Sequence, residues 1–251
     1  MFDKEIKFIS HQNYVDLNED YPSPIKLNIP EWYKKLEHGN FIGEQMTIKG
    51  CMPFLDTLTT GYLLKIAQDF QLEHNVWNEE LKTMDSFYAT GSLFDDILKA
   101  KGINLNSQKP DIHGHSQIKG SPYVKKNKNL NIYKIMNPWI IKTPPGYSCL
   151  FLPPLNNTDD RFSIIPGIVD TDQFPREVNF PIIINGDKYK TLKTIIEKGT
   201  PYVQVIPFRR ESWKMKIIGQ NTDKFNQKKI FYGLKVLHNY KKRFWSKKTW
   251  K

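Results

Sequence analysis

Between Tyr133 and Pro207, short apolar runs recur at nearly regular intervals, each bounded by a turn signal. Ile132-Tyr133-Lys134-Ile135-Met136, Trp139-Ile140-Ile141-Lys142, Leu150-Phe151-Leu152 and Tyr202-Val203-Gln204-Val205 have strand-like length and are rich in β-branched and aromatic residues. Turn chemistry separates the runs at Asn137-Pro138, Pro144-Pro145-Gly146, Asn156-Asn157, Asn185-Gly186-Asp187 and Lys198-Gly199. This spacing favours a barrel or sandwich over alternating strands and helices. The strand phase predicts burial of Trp139, Ile141, Leu150, Leu152, Ile164, Ile168, Ile182, Ile184, Val203 and Val205.

Upstream, the pattern is more mixed. Residues 1–29 alternate weakly and end in a Pro-rich loop, after which Pro30 opens a short helix that Gly39 would stop. Tyr62–Ala67 and Phe70–Glu73 alternate with period two, as strands do. Leu93, Phe94, Ile97 and Leu98 fit a helical face ending at Gly102. Residues 107–128 form a polar loop that contains His113 and His115. Past Pro207, Ile230, Leu234, Leu237 and Phe244 recur at helical spacing among lysines, predicting a basic amphipathic helix over residues 224–245. The expected fold is mainly β (α+β). A single β-rich domain spans residues 1–207, with a barrel core near 130–207 and added N-terminal strands and helices, and a basic helical tail spans 208–251.

Composition sharpens this picture in two respects. Aromatic residues make up 13% of the 251, enough for a substantial core. No stretch reaches the roughly 18 apolar residues of a membrane span, and no secretory leader is visible at Met1-Phe2-Asp3-Lys4-Glu5. A cytoplasmic protein without membrane contact is expected, with Cys51 and Cys149 as free, mostly buried thiols. The net charge of +11 is uneven: residues 207–251 hold 14 Lys+Arg against Glu211 and Asp223, and the remainder of the chain is at −1. A cationic tail on a neutral body points to a nucleic acid or a protein partner, including further copies of the chain in a homo-oligomer. Solvated lysines at a chain end are the simpler alternative.

Three segments carry a family likeness. Gly167-Ile168-Val169-Asp170-Thr171-Asp172 resembles the third motif of the dUTPase and dCTP-deaminase superfamily. Gly199-Thr200-Pro201-Tyr202-Val203-Gln204 resembles its fourth, and Pro145-Gly146-Tyr147 through Pro153 resembles the strand leading to its second. The likeness covers about a quarter of the chain and implies a dUTPase-like β-barrel or β-clip, with Asp170 in the water-activating position. Over its whole length the chain also resembles a family of phage and bacterial proteins, through Thr47–Asp56, Asn137–Ser148 and the Gly167 motif. A phage origin would imply the host cytoplasm or the virion as location. The chain departs from the dUTPase pattern where phosphate is held. Pro153 is followed by Pro154 and Leu155 instead of Arg and Ser, Arg176 is shifted by one residue, and a cationic segment replaces the Gly-rich fifth motif. A triphosphate needs several fixed donors to offset its charge.

Candidate chemistry follows from these positions. Asp170 and Asp172, at one strand end, could supply a general base or hold a divalent cation. Asp side chains that cap turn amides are the structural alternative. Gln204 and Arg176 could converge on Asp170 as ligand contacts. His113 and His115 could be metal ligands with Asp170 as third, or ordinary loop histidines. Arg209 and Arg210 could clamp a carboxylate or phosphate, or pair with carboxylates of the body. Trp213, Trp245, Trp250 and Phe244 could stack on nucleobases, or pin the tail to its own domain or to a partner subunit. Two classes therefore stand. One is a binding or assembly protein whose tail contacts a polyanion or partner subunit; the other is a nucleotide or small-molecule hydrolase using Asp170.

Overall fold

The computed structural model describes residues 4–17, 20–39, 47–78, 82–90, 112–156, 159–219, 226 and 239–251. Its Cα atoms group into two units, residues 1–24 with 61–209 and residues 25–60 with 210–251. The first unit holds the strands: β1 (Lys7–Ile9), β2 (Ser23–Pro24), β3 (Tyr62–Lys65), β4 (Phe70–Asn78), β5 (Thr83–Thr90), β6 (Ile112–His113), β7 (Ile132–Ile135), β8 (Ile140–Lys142), β9 (Tyr147–Leu152), β10 (Phe162–Ile164), β11 (Gly167–Val169), β12 (Phe180–Ile184), β13 (Leu192–Ile196) and β14 (Pro201–Arg209). They form four sheets, ordered β11-β9-β14-β3-β2, β10-β12-β7-β6, β13-β4-β5 and β1-β8. The paired strands are antiparallel throughout.

The mainly β class is as the sequence predicts, but the expected closed barrel is corrected. Among the described residues each sheet ends in edge strands. Closure requires every strand to have two neighbours at a consistent stagger. Here the strands are short, and prolines at 138, 144, 145, 153, 154, 166 and 175 break the ladders between them. The β1 and β3 segments also come from the N-terminal part of the chain, so residues 130–207 alone do not build the sheets.

One hydrophobic cluster fills the β unit. Leu64, Leu72, Ile141, Phe151, Ile164, Ile184, Ile196, Val203 and Val205 are all buried within it. Phe180 packs against Phe151 and, edge-on, against Tyr202. Trp139, Ile141, Ile164, Ile182, Ile184, Val203 and Val205 are buried as expected. Leu150, Leu152 and Ile168 are corrections. Cys149 and Phe151 face the core, so Leu150 and Leu152 turn outward and are half-buried. Ile168 pairs with Leu150, shares its face and is 63% exposed. Gly61, at φ +82°, lets β3 approach β14 closely; a Cβ there would lie 2.2 Å from the Val205 carbonyl oxygen.

The second unit is made of short helical pieces, among them helices Glu31–Lys35, Met52–Thr57 and Asn239–Arg243. Tyr33 is buried and stacks on Phe54 at 5.8 Å, and Trp32 meets both rings edge-on. Cys51 is exposed, correcting the expectation of two buried thiols: it sits at the turn that starts helix Met52–Thr57 rather than in a strand. The predicted helical face at Leu93, Phe94, Ile97 and Leu98 lies outside the described residues, as do Ile230, Leu234 and Leu237 of the predicted basic helix. Among the described residues no helix is long and apolar enough to cross a membrane.

His74 is fully buried on β4, where a register shift between Glu73 and Val76 puts Glu73 and His74 both out of solvent. Burial, aided by the positive charge of Lys128, pushes its pKa down from 6.5 to about 4. The folded protein therefore holds a neutral imidazole. Below about pH 6.5 the unfolded chain takes up a proton that the folded chain refuses, so stability is complete above that pH and drains away as pH falls towards 4. Urea titrations should show wild type losing about 2–3 kcal/mol more than His74→Gln between about pH 7 and pH 4.5. Equal losses in both proteins would remove His74 as the cause.

Candidate functional site

The Asp170 region is built on a turn that the sequence announces. Pro144-Pro145-Gly146-Tyr147 closes with a bond from the Tyr147 N–H to the Pro144 carbonyl at 3.2 Å, and Gly146 takes φ +83°. Proline second and a positive-φ glycine third is the type II pattern. The turn feeds β9, and β11 pairs with β9 so that Val169 lies opposite Cys149. Asp170–Asp172 is thereby placed beside the turn.

Each of these three residues then takes a structural partner. The Asp170 Oδ1 accepts from the Ser148 hydroxyl at 2.6 Å, and the Asp172 Oδ2 accepts from the Gly146 N–H at 2.8 Å. Between them, buried Thr171 places its hydroxyl 2.7 Å from that of Thr143 and donates to the Cys149 sulfur at 3.3 Å. The Asp170 carbonyl accepts from the N–H groups of Gln173 and Phe174, closing the next turn. Burial pushes the Cys149 thiol up to about 11 despite the Thr171 bond, so the sulfur stays protonated and is a poor nucleophile. The assembly is a clamp that joins two turns through side chains from both faces of the sheet. Asp170 remains exposed on its outer side.

The other predicted ligand contacts are dispersed. Gln204 is buried in β14 opposite Leu152, and its Oε1 accepts from the Leu155 N–H at 3.0 Å. Leu152 and Ser148 are four residues apart, about 13 Å along an extended strand, so Gln204 and Asp170 lie at opposite ends of β9. Arg209 pairs with Tyr147, one residue out of phase with Ser148, and strand alternation sends it to the other face. Arg176 is exposed in the segment after Asp172, and Arg210 is half-buried just beyond β14. His113 closes β6 and contacts the Gln117 carboxamide in the 3-10 turn His115–Ile118 that follows, and with helix Pro122–Lys126 this corrects the expected polar loop. The His115 side chain lies outside the described residues. Among the described residues no three His, Cys, Asp or Glu side chains gather as a metal-binding group.

A cavity of about 210 Å³ opens at the far end of β9 and β14, lined by Pro153, Pro154, Asp159, Ser163, Asn185 and Tyr202 among others. It is smaller than the roughly 300–1,000 Å³ of ordinary ligand clefts. Its acids are already engaged. Burial acts to raise the Asp159 pKa, but the hydrogen bonds and charge of Arg161, at 2.8–3.1 Å, outweigh it and hold the carboxyl below its usual value. Asp160 is held down by Lys188 and Tyr189. Sequence reasoning passed over this Asp159-Asp160-Arg161 group; its signal was the charge cluster directly after the Asn156-Asn157 turn.

At the C-terminus, Trp245 donates its indole N–H to both Asp56 oxygens at 3.1 Å, and Lys248 meets the same carboxylate at 2.6 Å. Asp56 thus anchors the end of the chain to helix Met52–Thr57. Lys241, Lys242, Arg243 and Lys247 stay exposed around that anchor. Compared with known families and curated proteins, the chain matches no family model and no curated sequence.

Two expectations test this geometry. Asp172→Ala strips the acceptor from the Gly146 N–H and should destabilise the fold by about 1–2 kcal/mol in a denaturant titration; an unchanged midpoint would show that the clamp is not a stabilising element. In a thiol-reagent assay Cys51 should react at once in the native protein, whereas Cys149 should react only as the chain unfolds. Rapid native modification of both would contradict the burial of Cys149.

Proposed function

We propose that this chain is a binding or assembly protein whose cationic C-terminal stretch holds a polyanion, with nucleic acid the ligand class that fits. One observation carries the reading. Residues 239–251 contain Lys241, Lys242, Arg243, Lys247, Lys248 and Lys251 and no acid, and Trp245 and Lys248 tie that stretch to Asp56. A fixed cluster of cations attracts phosphates more strongly than the same charges on a free tail, because less ordering entropy is lost on binding.

The dUTPase-like framework and a phage affiliation, with the host cytoplasm or virion as location, belong to the same proposal; the order of the three motif-like segments supports them. Within that framework the hydrolase reading keeps Asp170 as general base, and the exposure of the residue supports it. The binding reading is better supported. The two aspartates serve the Ser148 and Gly146 clamp, and the cavity lies at the other end of β9.

Anisotropy titrations with single- and double-stranded oligonucleotides test the proposal. Affinity should fall with salt at a log–log slope of about −4, as expected for five phosphate contacts. Replacing Lys241, Lys242, Arg243 and Lys247 by Gln should remove most of that slope and of the binding. Absence of binding at low salt overturns the reading. Turnover of a nucleotide panel with a divalent metal, lost in Asp170→Asn, would establish the hydrolase in its place.

A further inference from the structure

Directly after β14 the chain runs through Glu211-Ser212-Trp213-Lys214-Met215-Lys216-Ile217-Ile218-Gly219 without regular structure, and each of these residues is exposed. Trp213 is 88% exposed, Met215 84% and Ile217 87%. Large apolar side chains are seldom left so open in series. Trp213, Met215 and Ile217 alternate with Lys214 and Lys216, the period of a strand with one apolar and one cationic face. In an extended conformation nine such residues reach about 30 Å.

The same chain carries a surface that fits this segment. β11 is the terminal strand of the five-stranded sheet. It displays Ile168, 63% exposed, between exposed Pro166 and exposed Asp170. An edge strand offers backbone hydrogen bonds to an incoming strand, and the exposed Ile168 on the outer face of β11 meets the Trp213, Met215 and Ile217 face of the arm. The chain leaves β14 towards the arm at Arg209, which pairs with Tyr147, and β11 lies two strands away at the same end of that sheet. Root and acceptor therefore stand close enough for two copies to exchange arms about one two-fold axis. A polyanion accounts for the arm less well. Phosphate would satisfy Lys214 and Lys216 and a base could stack on Trp213, but Met215, Ile217 and Ile218 would gain no apolar cover.

We propose that residues 211–218 form an exchange arm that adds as a strand to β11 of a second copy of this chain, giving a symmetric dimer. This reading is independent of the polyanion site, which uses the terminal cations. Sedimentation velocity on the full chain should show a concentration-dependent monomer–dimer equilibrium. Replacing Trp213, Met215 and Ile217 by Ser should weaken it at least about tenfold, and so should Ile168→Lys at the acceptor edge, with circular dichroism unchanged. In a Cys51→Ser background, a protein carrying Ile168→Cys is then mixed with one carrying Met215→Cys and oxidised. The expected product is a disulfide-linked pair containing one chain of each kind, with little product from either protein alone. A monomer at every concentration overturns the proposal, as does a dimer indifferent to the arm substitutions. A third protein carries both Ile168→Cys and Met215→Cys, and a disulfide that forms in it only within one chain would show that the arm folds back on its own β11, which also overturns the proposal.

Discussion

β14 is bonded along both edges, to β9 and to β3, and this double ladder holds the β unit together. Val203, Gln204 and Val205 lose all contact with water, so each polar group there must find a partner within the protein. The backbone does so through its two neighbours, and the Gln204 carboxamide does so by accepting from Leu155. Because β3 comes from the N-terminal part of the chain and β9 from the middle, the strand joins segments that share no local sequence. The aspartate clamp hangs from one end of the β9–β14 pair and the polar cavity from the other.

The carboxylates illustrate how this framework uses charge. Asp172 holds a turn amide, Asp170 a strand hydroxyl, Asp159 the Arg161 guanidinium and Asp56 an indole and an ammonium. Acids are thus consumed locally in shaping loops, while the chain's surplus of cations collects past β14. Exposed ion pairs contribute little stability. The value of these contacts lies in fixing geometry: one turn against the next, and the C-terminus against helix Met52–Thr57.

Several features were legible before any coordinates. Pro144-Pro145-Gly146 names its own turn, because proline sets one backbone angle and glycine permits the next. Asp beside such a turn is a natural amide acceptor, and Asp172 takes that role. The phase of β9 was not legible. Cys149, Leu150, Phe151 and Leu152 form an unbroken apolar run with no alternation to read, so a phase that buries Leu150 and Leu152 suits the sequence as well as the observed one, which buries Cys149 and Phe151. The error carried over to Ile168, whose face follows from its pairing with Leu150. Strand count and spacing point to a barrel, but neither reports whether the last strand meets the first.

Turn positions, strand-length runs, the concentration of cations beyond residue 207 and the two-residue period of Trp213–Ile217 are properties of neighbouring residues, and the amino-acid order alone determines them. Strand partners, the face each strand buries, the exposure of Cys51 and the depressed pKa of His74 were decided in three dimensions. They depend on contacts between residues far apart in the chain, where burial of shared apolar surface and the need to pair every buried polar group outweigh local preference.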